Sequence, residues 1–426
     1  MKILQVVLLL TASKLSAQNH SLYMQYPSSN EPSLAVNPWN NAQVLLAFND
    51  NVLLKSNDTG KTFEPIKVTS QFGFRGDPVL AWIDSTHYGL VHLANNKKHK
   101  WPESFDRIVF QKGAFSASNL THSVGIGYIK GKMQDKPWLY CEPGQSGNIH
   151  ITWTSFDKYN SRIKGDSTRI RYVVSANKGK SFSKPLTISR VSGSAIDGDS
   201  AMEGATTVKG IDGKLYAAWS GLNKLWFTSA NADTKKWQTP EIINAHSNGW
   251  SIEVKGAYRA NGMPFITAWK QYIVVVWAAQ QAGKSSVFYK CYNTATGAWG
   301  ALQTIRGEWE RNVMPAVSVS DRFIAIAYYA STSVKDSPGK TAFRVEYALL
   351  DEKNISLGAE AVPQVAEDSY FTVPLGQAPF IGDYIAIQQL NQAQGVQGLI
   401  AYCKVYGSQG VITGVAVSRF SFKSLF

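Results

Sequence analysis

Ile149-His150-Ile151-Thr152-Trp153, running on into Thr154-Ser155-Phe156-Asp157, is the stretch that decides how this 426-residue chain folds. Small or aliphatic residues end in an aromatic and give way to polar ones, a strand that finishes at a surface. The same design returns at Val44-Leu45-Leu46-Ala47-Phe48, Gly89-Leu90-Val91-His92-Leu93, Leu215-Tyr216-Ala217-Ala218-Trp219, Val274-Val275-Val276-Trp277, Ile324-Ala325-Ile326-Ala327-Tyr328 and Leu399-Ile400-Ala401-Tyr402. Copies lie about 45–75 residues apart, the period of one propeller blade with variable loops. Helical periodicity is nearly absent, and Gly, Asn, Asp and Ser break up the short alternating runs throughout. The expected fold is therefore all-β, a β-propeller of four-stranded blades, with seven blades first and six as the alternative.

A second strand type precedes each copy: Pro32 to Val36, Pro78 to Trp82, Pro137 to Tyr140, Ala205 to Val208, Pro264 to Thr267, Pro315 to Ser318 and Tyr384 to Ile387. Proline suits a strand entry, where the missing N–H is not needed. Each blade should open with this short inner strand, turn, and return along the aromatic-ended one. Two antiparallel strands put the start of the first and the end of the second on one face. That face then carries Glu31, Asp77, Asp135, Glu203, Arg259, Asn261, Arg311, Asn312 and Asp383, with Asn49, Asp50, Asp157, Gln280 and Ser331 across the turn.

Ser56-Asn57-Asp58-Thr59-Gly60-Lys61-Thr62-Phe63 fits the Asp-box pattern S-x-D-x-G-x-T-W/F, and Ser175 to Phe182 fits with Asn177 for Asp; weaker relics span Ser229 to Trp237 and Asn293 to Trp299. Such a box is a hairpin turn in which the Asp or Asn side chain accepts backbone N–H groups and Gly takes positive φ. With these turns the chain resembles the sialidase-like superfamily of BNR/Asp-box propellers. More closely it is similar to an exported bacterial, glycosyl-hydrolase-like subgroup, through Gly76-Asp77-Pro78, Gln134-Asp135-Lys136-Pro137-Trp138, Trp153 to Asp157, Glu203-Gly204-Ala205, Tyr258-Arg259-Ala260-Asn261-Gly262 and Phe380-Ile381-Gly382-Asp383-Tyr384. The resemblance implies a propeller over roughly residues 30–420 and leaves activity open. The Phe-Arg-Ile-Pro motif of true sialidases is only echoed, by Phe74-Arg75-Gly76-Asp77-Pro78.

Lys2, the apolar run Ile3 to Leu10 and the small-residue exit Ser16-Ala17-Gln18 have the layout of a cleavable secretory signal, residues 1–17, leaving 18–426 as one propeller domain. No other run reaches the length of a membrane helix, so the expected place is secreted or periplasmic. Cys141, Cys291 and Cys403 allow at most one bridge, for instance Cys141 to Cys403, and have no metal-ligand spacing. A net charge of +13 invites nucleic acid as a partner, but the lysines are scattered over many hairpins instead of forming a stripe, which argues against it.

Carboxylates from separate blades can supply an acid and a base or nucleophile for glycosidic cleavage, and arginines beside them can hold an acidic sugar. Asp77, Asp135, Glu203, Asp383 and Tyr258 are the catalytic candidates. Arg75, Asp157, Arg259, Asn261, Arg311 and Tyr384 are the substrate-binding ones, with no metal and no cofactor. The opposing reading for each Asp is a turn cap. The leading expectation is an exported propeller acting on or binding an extracellular, possibly anionic, glycan. The alternatives are a non-catalytic glycan- or protein-binding propeller and, resting on His92 and His150, a lyase for uronic-acid polymers.

Overall fold

The computed structural model describes residues 22–24, 29–144, 147–231, 236–334, 339–390, 396–406 and 412–422; the expected signal segment and part of the Ser229 to Trp237 turn lie outside them. Strands dominate, with one short helix, Glu352–Leu357. The alternating runs pair as antiparallel sheets, in each of which the strand nearest the axis is one of the short inner strands, with a proline at the entry of all but Glu203–Lys209 and Ala386–Leu390: Ser33–Asn37, Val79–Trp82, Met133–Cys141, Glu203–Lys209, Phe265–Trp269, Arg311–Val319 and Ala386–Leu390. These inner strands touch one another in chain order, and Ala386–Leu390 returns to touch Ser33–Asn37, closing a ring. The sheets that begin at Phe265 and Arg311 are linked by a single parallel pair, Ser285 with Arg311. The closing sheet uses both ends of the chain, because Leu22–Met24 pairs antiparallel with Ile412–Phe422 at its outer edge.

The core lies between neighbouring sheets. Val91, Ile108 and Phe110 of one sheet pack against Leu139, Ile151 and Trp153 of the next. The aromatics ending the second strands, Trp153, Trp219 and Trp277, are wholly buried there, where a large ring contributes most by leaving water. The hairpin turns follow from their residues. Asp58 Oδ1 accepts from the backbone N–H groups of Lys61 and Thr62, both at 2.9 Å, and Gly60 sits at φ 73°. At the second turn Asn177 Oδ1 accepts from Ser181 N at 2.9 Å, Gly179 has φ 83°, and Phe182 packs edge-on against Phe110. All three cysteines are buried free thiols, so the suggested Cys141 to Cys403 bridge does not form. Among the described residues no helix is long and apolar enough to cross a membrane.

One feature of the backbone prepares the site. Glu31, Asp77, Lys136 and Met314, each directly before a strand-entry proline, have φ of 55°, 52°, 48° and 53°. A side chain held in this left-handed region costs on the order of 1–3 kcal/mol. The register of the inner strands also slips between Asp135 and Trp138, between Glu203 and Thr206, and between Val313 and Ala316. These bulges break the alternation of the strands just where their polar entries meet.

Candidate functional site

Asp383 is the hub of one mouth of the ring. Its Oδ2 receives Lys136 Nζ at 2.8 Å, from an inner strand elsewhere in the ring, and Arg259 binds both of its oxygens, at 2.9 Å through Nε and 2.5 Å through Nη2. Its backbone N–H donates to Glu31 Oε1 at 3.2 Å, and its carbonyl accepts from Asn261 Nδ2 at 2.9 Å. Burial works against ionisation of Asp383, yet Lys136 and Arg259 hold its carboxyl below the ordinary value. It is a permanently charged bolt across the mouth. The expectation that it works as an acid or base is therefore corrected: both oxygens are already occupied.

Around the bolt lie carboxyls with the opposite tendency. Glu31 is driven well above the usual carboxylate range by burial and by Asp77, to which it is hydrogen-bonded, and Asp383. Glu203 is raised by burial and by a hydrogen-bonded Asp197. Two carboxylates in contact away from water cannot both carry charge, so each of these pairs keeps a proton. Asp135 stands between them, half-buried, pushed up to about 7 by burial and by Asp77 and Asp197 against the pull of Lys136. Among the described residues its carboxyl accepts a bond from the backbone N–H of Lys136 to Oδ1, at 2.9 Å. A half-exposed carboxyl that changes protonation near neutrality, beside one that never does, is the arrangement that separates acid and base roles.

Aromatic rings frame this mouth. Trp250 donates from Nε1 to Glu203 Oε2 at 3.0 Å, and its ring lies 4.5 Å from Lys136 Nζ and 4.4 Å from the Arg259 guanidinium carbon. Tyr159 donates to Asp197 Oδ2 at 2.6 Å and meets Trp101 edge-on. Tyr258 stacks edge-on against Phe380, and Trp101 and Tyr258 are 60% and 69% exposed, open to a ligand. Below the bolt the inner strands enclose a cavity of about 530 Å³, lined at its upper end by Tyr384 and Trp138. Tyr384 is held in its neutral form by burial.

Asp77, Asp135, Glu203, Asp383, Arg259, Asn261 and Tyr384 are thus brought together, and Tyr258 reaches the rim as a surface for stacking. Of the remaining three candidates, two are bound by partners outside the cluster, and Arg75 stands two residues before Asp77. Asp157 is bound by Lys132 at 2.5 Å, by Ser167 Oγ at 2.7 Å and by Arg169 at 3.0 Å, partners on and beside its own sheet, which hold it down at about 2 despite its burial. Arg311 donates to the carbonyls of Glu253 and Gly283. Arg75 is exposed, with no side-chain ion pair among the described residues. The three expected anion grips are therefore absent as a set, since Arg259 is consumed by Asp383. His92 and His150 are hydrogen-bonded strand residues, not the paired groups that the lyase alternative rests on. His92 bonds to Leu93 O and Gln111 inside its sheet and is pulled down to about 4, chiefly by burial. His150 is fixed between Tyr172 at 2.8 Å and Glu142 at 3.0 Å.

No protein-family profile and no curated protein sequence matches the chain. Solved structures do match in shape. A PL25 ulvan lyase has a TM-score of 0.53 at 11% identity, over 93% of this chain and 95% of its own. The chain shares the fold of a polysaccharide lyase. The same lyase bound to -[GlcA(1-4)Rha3S]- scores 0.52 at 11% identity over the same shares. The NanB sialidase of Streptococcus pneumoniae matches at a TM-score of 0.47 and 10% identity, over 89% of this chain and 83% of that one. At such identities the likeness is one of fold, and the site must be argued from its own residues.

Lys136, Asp197, Tyr159 and Trp250 were not singled out by sequence reasoning. Lys136 carried a signal, because a long basic side chain directly before a strand-entry proline occupies the same place as Glu31 and Asp77. The other three sit on connections whose paths the strand pattern does not set. Among the described residues no group of His, Cys, Asp or Glu is placed to hold a metal ion.

Proposed function

We propose that this chain is an exported, sialidase-like propeller of seven four-stranded blades with BNR/Asp-box turns, one domain over residues 18–426 behind a cleaved leader. It acts on an extracellular glycan as a glycoside hydrolase-like enzyme, with Asp135 as the group that exchanges the proton. The observation that carries this reading is the divergence of the mouth's carboxyls: Lys136 and Arg259 hold Asp383 as the anion, while burial pushes partly buried Asp135 up to about 7. Backbone strain at Glu31, Asp77 and Lys136 in the same mouth supports it, since such strain persists where the surroundings over-determine a site. The exposed rings of Trp101 and Tyr258 suit the apolar faces of sugars.

The lyase reading is not carried forward, because both histidines it needs are sealed within their sheets. The test is a panel of oligosaccharides and polymers incubated with the mature chain and with Asp135→Asn. Wild type is expected to release reducing ends from at least one of them, and Asp135→Asn to lose about 10²-fold or more of that rate while keeping its fold. Binding without turnover by both proteins would replace the enzyme with a glycan-binding propeller.

A further inference from the structure

The charges of the mouth run against those of the molecule. The chain carries a net charge of +13, yet Glu31, Asp77, Asp135, Asp197, Glu203 and Asp383 converge on only Lys136 and Arg259. Both cations are committed to Asp383, at 2.8 Å and 2.5 Å, and the remaining guanidinium nitrogen of Arg259 lies 3.7 Å from Asp197. Neither Arg311 nor Arg75 adds a bond to the cluster. Within this cluster a carboxylate- or sulfate-bearing sugar would meet acids and no unspent cation.

The unfilled hydrogen-bond capacity has the same sign. Asp77 Oδ2, Asp197 Oδ1 and Glu203 Oε1 are buried acceptors with no donor beyond the protons that the paired acids retain, on residues of which Asp77 and Glu203 are 8% and 1% exposed. Shared protons can satisfy them in the empty site; a bound donor can do so in the filled one. A sugar hydroxyl brings a single donor, whereas an ammonium brings three and no acceptor that would face a carboxylate. The acids of the cluster that solvent reaches are Asp135 and Asp197, the latter's side chain 16% exposed between the Asp383-bound Arg259 and the rings of Tyr159 and Trp101.

Resting on the glycan reading above, we propose that the sugar selected by this mouth carries a free amino group, seated as an ammonium against Asp197 with its ring on the aromatic rim, leaving Asp135 to exchange the proton. Calorimetric titration with three probes tests it: a β-1,4 glucosamine hexamer, the N-acetylated hexamer and a galacturonate hexamer. The deacetylated hexamer should bind at least about tenfold tighter than the acetylated one, and the galacturonate should not bind. Binding of the deacetylated hexamer should also release protons, seen as heats that differ between buffers of unlike ionisation enthalpy, because the ammonium replaces protons held by the paired acids. Asp197→Asn should bring the ratio of the two affinities towards one. Equal or tighter binding of the acetylated or galacturonate hexamer overturns the proposal, as does failure of all three probes when another glycan of the panel binds. Failure of every glycan would instead remove the reading on which it rests.

Discussion

Replacing Lys136 by Met keeps the length of the side chain and removes the ammonium that joins distant inner strands across the mouth. Lys136 is 4% exposed, 2.8 Å from Asp383, and burial opposes its charge while Asp383 and its neighbours sustain it. Removing one partner of a buried pair costs about 3–5 kcal/mol. Arg259 still holds Asp383 through two bonds, so the lower end, about 3 kcal/mol at neutral pH, is expected. At about 2.1 cal/mol/K per residue, a chain of 426 residues would lose roughly 3–4 °C in melting temperature. The loss must also depend on pH. Without the ammonium, Asp135 and Asp383 have higher folded-state pKa values, the native state binds more protons than the unfolded chain, and stability falls as pH rises through them. Urea unfolding of both proteins at pH 5 and pH 8 reads this directly: the variant's deficit should be larger at pH 8. A deficit under about 1 kcal/mol, or one equal at both pH values, would mean that Lys136 is a solvated side chain and that the mouth has no ionic bolt.

Other consequences are simpler to measure. If protonated Asp135 is the working acid, turnover should fall as pH rises through about 7, the value its carboxyl reaches; Asp77→Asn, which removes one of the charges raising it, should move that limb to lower pH, and an unmoved limb would refute the coupling. Glu203 already holds its proton, so Glu203→Gln should change stability by less than about 1 kcal/mol while reducing turnover; joint loss of fold and activity would assign Glu203 to the frame. His150→Ala leaves Glu142 and Tyr172 short of a partner and should cost about 1–3 kcal/mol of stability with turnover per folded molecule unchanged, whereas selective loss of turnover would restore a histidine to the chemistry.

The sequence shows the frame because its signal is local. A proline at a strand entry and an aromatic at the end of the next strand mark most of the sheets, and from the repeat they set Asp77, Asp135, Glu203, Asn261 and Asp383 fall at one mouth by topology alone. What each does there is not local. Asp383 looks like its fellow acids in sequence, but Lys136 arrives from a distant strand and Arg259 from a distant connection, and together they fix its charge. Arg311 begins its strand where an anion grip was expected, yet nearby carbonyls capture its guanidinium. Asp157 follows its strand by one residue and is claimed by Ser167 and Arg169 on the adjacent one. Asp197 and Trp250 come from long connections with no strand pattern, so only packing could reveal them. The pairing of Leu22–Met24 with the last strand is equally hidden, since a three-residue strand whose partners are Val417, Ala416 and Val415 at the far end of the sequence leaves no periodic trace.

The most direct test of the whole account is a crystal structure of the protein soaked with a glycan that it binds. The sugar should lie in the aromatic-rimmed mouth, with a polar atom within hydrogen-bond distance of Asp135 and a ring face against Trp101 or Tyr258. A sugar bound at the opposite mouth or on an outer blade edge, with the Asp135 mouth empty, would contradict it.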